Sequence, residues 1–255
     1  MGRMTETVKV LLIINVIVYI GSQVLGDQAY QLFSLWFVEN DNFQFWQVVT
    51  HMFMHDPNSI FHIIFNMYAL WAFGSPIEQV LGKNKFLFFY FSAGIGAAII
   101  HTLVNYYHFQ AGYSALLDAG FGSMEVEQYL RESYASIASS GQFRIPEGVD
   151  QDVLRTMFQT YITPAVGASG AIYGILVAFG MMFPNVELFL LFVPVPIKAK
   201  YFIPALIALD LFSGLTGYSI FGGGIAHFAH IGGALFGFIM MWYWKKNQFN
   251  QNRWD

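Results

Sequence analysis

The 255-residue sequence contains no cysteine. That excludes a disulfide framework, thiol nucleophiles and cysteine-based metal sites. Charge is scarce too: Asp, Glu, Lys and Arg make up 11% of the chain, where a soluble domain carries about 25%. No run of lysine and arginine suggests nucleic acid, so no nucleic-acid partner is expected. No phosphate-binding or dinucleotide-binding glycine motif appears, and no His-Glu-x-x-His pair marks a zinc enzyme. The net charge of −4 decides little, because in such a chain the placement of charge matters more than its sum.

What fills the sequence instead is apolar: 56% of residues, with 27 Phe, 14 Tyr and 6 Trp. The class is an all-α polytopic membrane protein. Arg3 and Lys9 flank a first apolar run at about 8–25. It lacks an Ala-x-Ala-type cleavage site and is expected to be a retained helix. Further spans are expected at about 60–81, 86–108, 168–183, 201–216 and 226–244, giving a single six-helix membrane domain over 1–255. The 26–57 stretch mixes Trp36, Phe37, Phe45 and Trp46 with Asp27, Glu39 and Asp41, and suits the membrane interface. Residues 109–160 are acidic and read as a large extramembrane loop, with a surface helix at 124–138. Residues 186–200, with Pro194 and Pro196, read as an irregular or interfacial connection, and 217–225 as a glycine-rich loop.

Six spans fix an orientation that the basic residues can test. With the N-terminus inside, the inner segments hold Arg3, Lys9, Lys83, Lys85, Lys198, Lys200, Lys245, Lys246 and Arg253, nine of the twelve Lys and Arg. The positive-inside rule then places both termini in the cytoplasm, the 109–160 loop outside, and the protein in the plasma (inner) membrane.

The chemistry centres on Gly167-Ala168-Ser169-Gly170, which opens the fourth span. Small residues there also suit plain helix packing. His230 in the sixth span changes the reading. Ser169 and His230 each lie 14 residues before the inner end of a helix that runs inward. At about 1.5 Å per residue both sit roughly 21 Å above the inner boundary of a core about 30 Å thick. A hydroxyl and an imidazole at one depth suit a nucleophile and its general base. Gly170 with Gly174, and Gly233 with Gly237, clear one face on each helix for close approach. Tyr173, one turn from Ser169, is positioned to stack on the His230 ring. In the second span His62 and Asn66 share a face; they read as interhelical hydrogen-bonding groups or as donors for an oxyanion, with the Ser169 backbone N–H as a third.

These three elements, 167–174, 229–233 with Gly237, and 62–66, resemble the signature motifs of rhomboid intramembrane serine proteases, in the family's order. The resemblance covers about 45–244. It implies a six-helix bundle with Ser169 as nucleophile and His230 as general base. His62, Asn66 and the Ser169 N–H would form the oxyanion hole, and Tyr173, Gly167, Gly170, Gly233 and Gly237 would support the site. It implies transmembrane segments of membrane proteins as substrates, cut near their outer end, with no metal and no cofactor. Two features depart from the pattern. Trp46-Gln47 stands where the family commonly has Trp-Arg, and the 109–160 loop is longer than in minimal bacterial members.

Other polar groups receive plainer expectations. Asp210, in the fifth span, is expected to make a structural hydrogen bond, since the family works as a dyad. His51, His55, His227 and His230 gather near one surface without a metal-site spacing. His101 reads as a polar packing residue, and Met52 and Met54 as interfacial packing. The substrate is expected to enter laterally beside the fifth helix, under a cap made mobile by glycines 222–224. Two other classes compete: a catalytically inactive rhomboid-like protein that binds membrane clients, and a transporter. An inactive relative would lack the Ser or the His, and a transporter would have matching broken helices. Neither feature is present.

Overall fold

The computed structural model describes residues 3–190, 193–218 and 225–247. Helix α1 (Glu6–Leu25) is apolar along its length. It turns Val10, Ile13, Ile17, Ile20 and Val24 outward, a face suited to lipid, and Val8 and Leu11 inward. Its first-turn N–H groups need partners. The Glu78 carboxylate accepts from Thr7 N–H at 3.1 Å and Val8 N–H at 3.0 Å, and from the Thr5 hydroxyl. A carboxylate at the positive end of a helix is favourable on both counts.

The outer segment follows, with α2 (Asp27–Phe33), α3 (Gln47–Thr50) and a 3-10 turn at His51–Phe53. The second apolar stretch comprises α4 (Ile60–Ala69), a π-type turn at Leu70–Gly74 and α5 (Ser75–Leu81). Next come α6 (Lys83–Asp118), α7 (Ser123–Ser140), α8 (Gln151–Ile162), α9 (Ser169–Met182), strands β1 (Glu187–Leu190) and β2 (Val193–Lys198), α10 (Ala199–Thr216) and α11 (His227–Asn247). Among the described residues, four stretches are long and apolar enough to cross a membrane: 6–25, 60–81, 83–118 and 199–216. Helix α9 is apolar but only 14 residues long. Every residue of it from Gly170 to Phe179 is buried, so it is the pillar around which α6, α10 and α11 stand.

Two expectations need correction. The 109–160 region is a packed helical unit: α7 matches the surface helix expected at 124–138, but the extension of α6 and helix α8 were not expected. Helix α6 runs ten residues past 108, about 54 Å in all, longer than a bilayer core is thick. Its far end packs on α8, which the acidic composition hid. Asp150 Oδ1 caps α8, accepting from Asp152 N–H at 2.7 Å and Val153 N–H at 3.3 Å. Leu154, Met157 and Phe158 then form one buried stripe against Phe109 and Leu116 of α6 and Val126 and Leu130 of α7. Residues 187–190 and 193–198 pair as two antiparallel strands rather than forming an irregular connection, with Glu187 opposite Lys198 and Leu188 opposite Ile197. In a two-stranded sheet both strands are edges, where proline is tolerated, so Pro194 and Pro196 were misleading signals. The glycines at 222–224, expected to form a mobile cap, lie outside the described residues.

Candidate active site

The chain enters the site over Gly167. Its φ of +123° favours glycine, and a Cβ there would lie 2.9 Å from His62 Nε2 and 3.6 Å from Ser169 Oγ. Two straps hold this turn. Leu35 and Ala165 exchange backbone hydrogen bonds of 2.9 Å each, and Gly167 N–H donates to the His51 carbonyl at 2.9 Å. Both partners belong to the outer segment, so the segment at 34–53 sets where Ser169 begins.

That segment is itself held by Gln47, which is fully buried. Its Oε1 accepts from the Gln44 N–H at 3.1 Å and the Trp36 N–H at 3.3 Å, while Nε2 donates to the carbonyls of Asn42 at 2.8 Å and Gln31 at 3.0 Å. A neutral amide both donates and accepts, so one side chain serves N–H and C=O groups together. The sequence shows Gln47 only as a departure from Trp-Arg; its contacts join five backbone groups of the outer segment.

Ser169 is the first residue of α9, and His230 lies one turn into α11. His230 Nε2 and Ser169 Oγ are 2.9 Å apart. The approach rests on glycines. A Cβ on Gly233 would fall 1.8 Å from the Gly170 carbonyl oxygen, and one on Gly237 would fall 2.6 Å from the Gly174 Cα. Helix α6 closes the same seam with small residues missed in the sequence: Ala97 would meet a Cβ on Gly170 at 2.5 Å, and Ala93 one on Gly174 at 2.6 Å. Without a hydrophobic force between helices in lipid, such close backbone contact is what holds them.

Tyr173 stacks on the His230 ring with centroids 4.2 Å apart and planes 11° apart. Its hydroxyl donates to Asp210 Oδ2. Asp210 Oδ1 lies 2.5 Å from His227 Nδ1 and 3.2 Å from His230 Nδ1. The structural hydrogen bond expected for Asp210 is therefore there, and the same carboxylate also reaches the imidazole beside Ser169. The three ligand-capable atoms of Asp210, His227 and His230 lie within 4.8 Å of one another. His51 and His55 do not join them: His51 Nδ1 donates to the Gln47 carbonyl at 2.8 Å, and His55 sits edge-on to His62. Burial holds both of these interfacial imidazoles neutral, His51 down to about 4 and His55 down to about 3.

The second polar pair faces the same spot. Asp56 N–H donates to His62 Nδ1 at 3.2 Å. Nδ1 must then be the acceptor, so neutral His62 carries its proton on Nε2, the atom poised above Gly167. Asn66 is buried and spends one amide hydrogen on the His62 carbonyl at 2.9 Å, which leaves the other. The Ser169 N–H lies in the first turn of α9, where helix N–H groups have no partner within the helix. His101 pairs with Asn105 at 3.0 Å. Its side of the seam borders a cavity of about 20 Å³ lined also by His51, Gly167 and Ser169, room for about one water. Met52 and Met54 are packed inside, Met52 against Gly94.

Comparison with known proteins identifies the family. The chain matches the family model described as a rhomboid domain over residues 42–144 and 147–247. It is 30% identical over 186 residues to the mitochondrial presenilin-associated rhomboid-like protein of Bos taurus, covering 72% of this chain and 34% of that protein. Similarity to the counterpart from Mus musculus is 28% over the same shares, and to protein A of Danio rerio 29% over 72% and 33%. The chain thus spans about a third of the length of the curated relatives it matches.

Proposed function

The chain belongs to the rhomboid family, and from that premise we propose that it is an intramembrane serine endopeptidase that cuts transmembrane segments of other membrane proteins. The observation that carries the reading is the 2.9 Å separation of His230 Nε2 and Ser169 Oγ, within general-base reach. Ser169 Oγ attacks the scissile carbonyl carbon while its proton passes to His230 Nε2. The negative charge that builds on the carbonyl oxygen meets the Ser169 N–H, His62 Nε2–H and the spare Asn66 amide hydrogen. Collapse breaks the C–N bond, and the His230 proton leaves with the amine. Water then repeats the sequence on the acyl-enzyme.

Helix α9 supports the depth assigned to the reaction. At about 21 Å it is shorter than a core of about 30 Å, so with its Met182 end at one face its Ser169 end lies below the other. We place six spans in the membrane, with the basic segments on one side and the α7–α8 unit on the other. The named relatives are mitochondrial, so the side is defined by charge and not by organelle. Substrate reaches Ser169 laterally beside α10.

The test is a transmembrane reporter incubated in vesicles with the full chain, Ser169→Ala and His230→Ala. The wild type should release the cleaved fragment, and both variants should fall to background. Equal release by all three would end the protease reading. The relatives are named presenilin-associated, which describes association. A client-binding protein would bring down the reporter uncut, to the same extent in wild type and Ser169→Ala.

A further inference from the structure

We propose that Asp210 is the positioning residue of the serine–histidine pair, fixing the tautomer of His230 from a different helix; the proposal rests on the protease reading. A carboxylate only accepts hydrogen bonds. The contact from Asp210 Oδ1 to His230 Nδ1, 3.2 Å, therefore requires the His230 proton on Nδ1. That leaves Nε2 with its lone pair toward the Ser169 hydroxyl at 2.9 Å, the tautomer a general base needs. Were the proton on Nε2, His230 would donate to Ser169 and could not take its proton.

The position of Asp210 argues against simple filling of space. It sits 6% exposed in a helix that turns Leu209, Leu211, Phe212 and Leu215 outward. A carboxylate in such a helix is costly and needs partners. It has three, all donors and all at the site: Tyr173 on α9, and His227 and His230 on α11. Tyr173 holds the His230 ring by its face and Asp210 holds it by its edge, and those two side chains are bonded to each other. Around the ring stand Ser169 and Tyr173 from α9, Asp210 from α10 and His227 from its own helix, with His62 from α4 and His101 from α6 within electrostatic reach. Asp210 is the acidic member of this group.

The experiment measures the rate at which a fluorophosphonate labels Ser169 in the full chain in detergent micelles, across pH. Asp210→Asn keeps the shape, and elution as a single species with an unchanged unfolding midpoint establishes that it folds. It should slow labelling near pH 7 by about 10²–10⁴-fold, with the residual rate climbing as pH rises. Asp210→Glu should recover part of the loss. Labelling of Asp210→Asn at the wild-type rate with the wild-type pH profile would overturn the proposal. So would a wild-type rate abolished by a chelator, which would make the cluster a metal site. Failure of the wild type to label at Ser169 would instead sink the protease reading. A second measurement decides the positioning claim in that case: ¹⁵N-histidine NMR in the Ser169→Ala background. His230 should be protonated at Nδ1 with Asp210 present and shift toward Nε2 with Asp210→Asn. An unchanged tautomer would overturn the proposal.

Discussion

The seam between α9 and α11 and the unit formed by the end of α6 with α7 and α8 are both helix packings, made in opposite ways. The seam uses glycine and alanine, so that backbones touch. The α6–α8 unit uses Phe109, Tyr134, Phe158 and Tyr161, with Tyr134 stacked on Tyr161 at 4.0 Å and Phe143 tilted against Phe158 at 4.6 Å. The proposed topology, with the α7–α8 unit in water and the seam in lipid, accounts for the difference. Where water surrounds the helices, burying large aromatic rings is the strongest available force. Where lipid surrounds them that force vanishes, and close contact with a few polar bridges must serve. The same seam that holds α9 against α11 therefore delivers Ser169 to His230.

The largest expected effect breaks the seam. Gly233→Leu drives a side chain into the Gly170 carbonyl, where even a Cβ would be 1.8 Å away. Backbone has to move, so fluorophosphonate labelling of Ser169 should fall to background and the unfolding midpoint should drop. Gly21→Ala supplies the contrast. Nothing lies within 4 Å of its Cβ position on α1, so it should be neutral or gain up to about 1 kcal/mol from helix propensity. If both glycines respond alike, close approach is not what holds the membrane core.

A middle-sized effect tests whether the two regions stand apart. Phe158→Ala removes a ring that is 1% exposed at the centre of the α6–α8 unit and should cost about 3–5 kcal/mol there. Added protease should then cut within 141–150, between α7 and α8, while Ser169 labelling persists. Loss of labelling together with protection would show one cooperative unit. Its path would be Phe37, which packs into the α6–α8 core just beyond the Leu35–Ala165 strap.

How much of this was legible follows the same division. The seam was legible because its determinants are local: glycines four apart, a serine opening a helix and a histidine at matching depth are all spacings along the chain. His62 and Asn66 were legible as one face of one helix, yet the proton on His62 Nε2 was not, because it depends on Asp56 N–H arriving through a turn. Asp210 was visible as a charge in an apolar run, but its contact with His230 joins residues twenty apart on two helices, and no periodicity reports that. The α6–α8 unit was the least legible part. Its stripe at Leu154, Met157 and Phe158 is set in a sequence acidic enough to read as loop, and its partner surface is the far end of a membrane helix. Gln47 was legible only as a substitution, since its partners are backbone groups that carry no sequence signal.

Acid should also separate the two regions. His51 and His55 lie in the outer segment beside the seam, and burial lowers their folded-state values to about 4 and about 3 from an ordinary 6.5. Between those values and 6.5 the unfolded chain binds more protons than the folded one, so stability falls as pH falls through that window. At pH 5 each imidazole should remove about 2 kcal/mol relative to neutral pH. Helices α7 and α8 contain no histidine and half-buried His108 only borders their unit, so the α6–α8 unit is expected to be less sensitive. Moving from pH 7 to pH 5 should therefore lower the unfolding midpoint of the core and release the strap on Gly167, while protease protection of 141–150 holds. His55→Phe should blunt the response, because neither His55 ring nitrogen has a hydrogen-bond partner to lose. Equal acid loosening of both regions would show that the imidazoles are not its source.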